Sequence, residues 1–92
     1  MRVRADSIEL LGYSTSELSY LAETAVLFAK DRGWSKVSHD EHYFRHNGMT
    51  VFSCRIEFSK EVPDGLAREN PISYEFLDFR PFVESRSNAL HT

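Results

Sequence analysis

The sequence predicts an α+β domain: an antiparallel sheet of three to four strands with one helix packed on one face, in the order β-α-β-β-β. Three observations predict it. Ser14 to Gly33 reads as one capped, amphipathic helix. Asn47-Gly48 stands between two stretches that read as paired strands. The 92 residues show no repeat or low-complexity break that would divide them into two domains.

The elements follow in chain order. Residues 1–11 alternate weakly: Val3 and Ala5 share one face, then Ile8 and Leu10 share the other. This predicts a short strand with a bulge near Asp6-Ser7. Ser14-Thr15-Ser16-Glu17 matches a capping box, with Ser14 as N-cap. Tyr13 and Leu18 are placed to form the accompanying hydrophobic staple. Leu18, Leu21, Ala22, Ala25, Phe28 and Ala29 recur at helical spacing. Lys30 and Arg32 suit the negative end of the helix dipole, and Gly33 suits a left-handed C-cap. A helix over residues 15–32 is expected.

Asn47-Gly48 is the residue pair that a type I′ turn demands, because both central positions take positive φ. After it, Phe52, Cys54, Ile56 and Phe58 alternate with Val51, Ser53, Arg55 and Glu57. Before it, residues 37–46 are expected to pair back. A two-residue loop sets Tyr43 opposite Phe52, Asp40 opposite Arg55, and Glu41 opposite Cys54 on the apolar face. That last pairing predicts a bulge near His39–Glu41. Pro63-Asp64-Gly65 marks a turn in a polar loop, residues 59–71. Ile72, Tyr74 and Phe76 alternate and predict a last strand, which Pro81 ends. Residues 1–83 form the expected domain, and residues 84–92 a polar tail.

Composition narrows the function. Aromatic residues make up 13%, including seven Phe, enough to build a core. The net charge of −3 and pI near 5.7 argue against a general nucleic-acid binder. Cys54 is the only cysteine, so no internal disulfide is available. No apolar run approaches the length of a membrane span, and no signal peptide is visible. A cytoplasmic location without membrane contact is expected.

Candidate chemistry is sparse. His39, His42 and His46, with Asp40 and Glu41, form the one cluster that suggests a metal. On a helix, His42 and His46 would share a face; on a strand they are solvated side chains without a second ligand pair. The turn at Asn47 favours the strand, so neither a metal nor any other cofactor is expected. Cys54 sits in an apolar alternating run and reads as a small buried hydrophobe. No phosphate loop, dinucleotide fingerprint or nucleophile elbow is present. The chain is therefore not expected to be an enzyme; a small metal- or thiol-dependent enzyme is the third reading.

What remains is surface. Lys30, Arg32 and Lys36 flank the helix end around Trp34, which suits a protein hot spot. With Arg2 and Arg4 they suit a local nucleic-acid patch, the second reading. Tyr20, Thr24 and Leu27 lie on the helix face away from the core. They predict a second contact: the chain's own Phe79, Phe82 and Leu90 region, a second subunit, or another protein. Trp34, Arg32, Lys36, Lys30, Tyr20 and Leu27 are the expected partner-binding residues. A protein partner is favoured, and a homodimer is compatible with the pattern.

A small, motif-free, mildly acidic domain of this length and architecture resembles phage-encoded inhibitors of host machinery, including anti-CRISPR proteins. The resemblance implies a non-catalytic antagonist acting in the host cytoplasm. Immunity proteins and toxin antagonists fit the same description.

Overall fold

The computed structural model describes residues 2–63 and 72–90, the side chains of residues 89 and 90 excepted. Strand β1 (Arg2–Gly12) leads into helix α1 (Thr15–Asp31); strands β2 (Ser35–His46) and β3 (Met49–Val62) follow. Then come helix α2 (Ile72–Glu75), a 3-10 turn at Phe76–Asp78, and helix α3 (Phe79–Leu90). The sheet is antiparallel in the order β1-β3-β2. The fold is α+β, as the sequence predicts.

Helix α1 starts as its capping sequence requires. The Glu17 amide donates to Ser14 Oγ at 3.1 Å. The return bond runs from the Tyr13 amide to Glu17 Oε2 at 3.3 Å, one residue earlier than in the usual box. The predicted staple does not form, because Tyr13 stays exposed while Leu18 is buried. The helix ends in a Schellman motif: the Gly33 amide donates to the Lys30 carbonyl and the Trp34 amide to the Ala29 carbonyl, both at 3.0 Å. Gly33 takes φ of +87°, which a Cβ would strain.

The hairpin also follows its turn chemistry. Asn47 and Gly48 have φ of 51° and 77°, and His46 pairs with Met49. Tyr43 faces Phe52, Asp40 faces Arg55, and Glu41 faces Cys54. The expected bulge near His39–Glu41 is absent, and the register shift falls between Lys36 and Ser38. No bulge is needed at Glu41: β2 is an edge strand, so the carboxylate leans outward and stays 57% exposed. The bulge expected at Asp6-Ser7 is also absent, since β1 pairs with β3 in one unbroken register. The apolar pattern breaks there because Asp6 serves a distant element: its Oδ2 accepts the Ile72 amide at 2.9 Å.

The predicted last strand is helical. Ile72, Phe76 and Phe79 recur at i, i+4, i+7 and reach the core on one face. The alternation of Ile72, Tyr74 and Phe76 is compatible with either period over so short a run. Pro81 breaks no ladder. It lies in the first turn of α3, where its missing amide is not required. The carbonyl its ring would crowd is that of Leu77, inside the 3-10 turn. The predicted boundary at residues 83–84 falls within α3, and Arg86 and Ser87 both contact α1. Of the predicted loop at residues 59–71, residues 59–62 belong to β3, and the Asp64-Gly65 turn lies outside the described residues.

Three layers result: the sheet, α1 across it, and α3 across the outer face of α1. Between sheet and α1 lie Leu18, Ala22, Ala25, Ala29, Cys54, Ile56 and Phe58. Phe28, fully buried, receives Phe76, Phe79 and Phe82 edge-on, with ring centroids 4.7, 5.4 and 5.2 Å away. Such pairs add about 0.5–1.5 kcal/mol each beyond their area. No helix packs on the opposite face of the sheet among the described residues.

Candidate functional site

The residues expected at a partner surface are dispersed, and most are engaged within the fold. Trp34 is a core residue at 2% exposure. Its indole N–H donates to Glu75, while Arg4 and Lys60 stand over the ring at 5.7 and 5.5 Å. The predicted partner anchor is corrected to a structural one. The Schellman motif supplies the reason: its residue after the glycine turns back onto the last helical turn.

The cations around it are also engaged. Lys60 pairs with Glu75 at 3.7 Å and Arg4 with Asp6 at 3.8 Å. Arg32 stacks on Phe28 at 3.4 Å from its centroid and donates to the Phe28 carbonyl. Lys30 is exposed on α1. The predicted basic patch is thus largely drawn into packing around Trp34 and Phe28.

Tyr20 and Thr24 meet the chain's own C-terminal helix. Arg86 donates to Thr24 Oγ1 and, at 2.8 Å, to Glu23 Oε1; its guanidinium lies 5.0 Å from the Tyr20 ring. Ser87 Oγ donates to the Tyr20 hydroxyl at 3.2 Å. Of the three occupants expected for this stripe, the structure shows the intramolecular one. Leu27 and Lys36 do come together: with Val26 and His39 they line an open groove between α1 and the edge of β2.

Cys54 lies below that groove, fully buried, with Sγ 3.1 Å from His39 Nε2. The same nitrogen is 3.2 Å from Glu41 Oε1. Burial pushes the Cys54 thiol above its usual value of 9.0, and the Glu41 and Asp40 carboxylates push the same way against Lys36. A thiol held protonated is a weak nucleophile and a weak ligand. Among the described residues no group of three His, Cys, Asp or Glu is placed to hold a metal. His39 points to the α1 side of the sheet, while His42 and His46 share the other.

That other face carries a feature which period-two reading did not single out. Leu11, Tyr13, Phe44 and Val51, with His46, surround an open concavity of about 310 Å³ at the hairpin end of the sheet. Leu11 is 54% exposed and Phe44 45%, while Val51 between them is buried by its neighbours. Val51 and Leu11 were legible as outward-facing apolar residues; their convergence with Phe44 depends on the strand order β1-β3-β2. No helix of the described residues is long and apolar enough to cross a membrane. No family model, curated protein or solved structure matches this chain.

Proposed function

We propose that this chain is a non-catalytic protein-binding domain that acts through the bare face of its sheet. One observation carries the reading. Among the described residues the helices all lie on one side, leaving Leu11, Tyr13 and Phe44 grouped and exposed around Val51 on the other. An antiparallel sheet facing water normally alternates to polar side chains there. A grouped apolar patch with a polar rim is the usual mark of an interaction site. Farther along the same face, Arg55 and Glu57 supply that rim. A rigid surface of this kind suits an antagonist of a host defence complex or an immunity-type inhibitor, acting in the cytoplasm.

The test is affinity capture from native lysate with nuclease present, comparing the wild-type chain with Leu11→Asp and Phe44→Asp. Both positions are solvent-exposed, so the variants are expected to keep their circular dichroism. The expected result is a defined protein partner held by the wild type and by a Leu27→Ser control, and lost from both face variants. A catch that nuclease abolishes, or one that Leu27→Ser loses while the face variants keep it, overturns the reading.

A further inference from the structure

We propose that β2 is a self-pairing edge: two copies of this chain join antiparallel through residues 40–46, with Tyr43 of each on the two-fold axis. The inference concerns the edge of the sheet and stands apart from the partner-binding reading of its face.

Among the described residues, β2 pairs with β3 alone. Its turn fixes which backbone groups face outward. His46 and Met49 close the hairpin as a hydrogen-bonded pair, so ladder alternation aims the amides and carbonyls of Arg45, Tyr43, Glu41 and His39 away from β3. Such a row is a template for another strand. Isologous antiparallel pairing requires one residue to face its own copy, and the side chains test each choice. Centring on Asp40 or Glu41, which gives the longest overlap, sets like charges directly opposite, which destabilises. Centring on His39 or His42 makes no pair of opposite charges from the carboxylates. Centring on Ser38 makes one, Lys36 with Asp40, but across the irregular register between Lys36 and Ser38.

Centring on Tyr43 sets Glu41 opposite Arg45 and Asp40 opposite His46, each twice by symmetry. His42 then faces Phe44. Tyr43 itself is 75% exposed, more than any other large hydrophobic residue described, and the axis would cover it. The same register keeps the helices apart. Gly12, just before α1, pairs with Phe52, which pairs with Tyr43, so α1 lies over the stretch of β2 before Tyr43. The partner's helix would lie beyond the hairpin tip. A register centred on residues 39–41 would bring the two helices alongside one another. Pairing through one short edge buries less than a permanent interface needs, so the dimer is reversible and concentration-dependent.

Sedimentation equilibrium over a wide concentration range and oxidative cross-linking test this together. Tyr43→Cys is expected to form a covalent dimer, since Cα atoms of directly opposed residues fall within disulfide reach. Glu41→Cys, made together with Cys54→Ala so that residue 41 has no thiol opposite it on β3, is expected not to, because its copy lies about 13 Å away along the strand. The wild type is the control, as its one thiol is buried. Arg45→Glu is expected to weaken association roughly tenfold by turning two attractive pairs repulsive, and Glu41→Arg added to it to restore association. That rescue separates the interface from any loosening of the hairpin, where Arg45 also bonds Thr50 and Gly48. A chain that stays monomeric throughout and does not cross-link at residue 43 overturns the proposal. So does cross-linking at 41 in preference to 43, or a double variant that associates no better than Arg45→Glu.

Discussion

Replacing Trp34 separates the packing role found in the structure from the exposed role its neighbours suggest. The indole is enclosed by the end of α1, the β3 residue Lys60, the β1 residue Arg4 and the α2 residue Glu75. Trp34→Ala removes a fully desolvated aromatic side chain and leaves a cavity, which costs about 3–5 kcal/mol. A domain of this size holds roughly 5–14 kcal/mol in total at typical stability per residue. The variant should therefore be marginal, with most of the loss in the urea midpoint rather than the slope. Trp34→Phe keeps a ring and deletes the N–H bond to Glu75, at a cost of about 1.5 kcal/mol, or about 6–12 °C in melting temperature. Urea titration followed by circular dichroism measures both. Hydrogen exchange in α2 should rise alongside, because Glu75 loses its anchor. Should Trp34→Ala cost under about 1 kcal/mol, the packing described for this residue is refuted and its exposure is restored.

Other expectations follow from single contacts. Gly48→Val should destabilise by at least about 1 kcal/mol through strain alone, since a Cβ there meets nothing within 4 Å yet φ is +77°; an unchanged urea midpoint would contradict it. Arg86→Met should lower stability by about 1–2 kcal/mol and speed hydrogen exchange in α3, because it frees that helix from Thr24 and Glu23. The raised Cys54 thiol makes a signed pH prediction. Above about pH 9 the unfolded chain gives up this proton before the native chain does, so stability should fall as pH rises. Cys54→Ala should remove that part of the alkaline loss, and thermal melts of both chains from pH 8 to 11 measure it.

The local signals were legible because each is closed within a few residues. The capping box at Ser14, the Schellman end at Gly33 and the Asn47-Gly48 turn depend on backbone geometry that neighbouring side chains enforce. They determined α1, the hairpin and its register, down to Tyr43 facing Phe52. The burial of Trp34 was legible too, since the residue after a Schellman glycine turns back against the helix. Its flanking cations obscured that signal.

Tertiary structure decided what rests on partners far along the chain. The fate of residues 72–76 was open because Ile72, Tyr74 and Phe76 satisfy a strand period while Ile72, Phe76 and Phe79 satisfy a helical one. The helical reading prevails because it brings three phenylalanine rings onto Phe28 in α1 and lets Asp6 in β1 hold the Ile72 amide. The same docking covers Tyr20 and Thr24 and leaves no helix, among the described residues, on the other side of the sheet. Which apolar stripe is core and which is surface depends on burial between elements distant in sequence, and periodicity along one element carries no record of it.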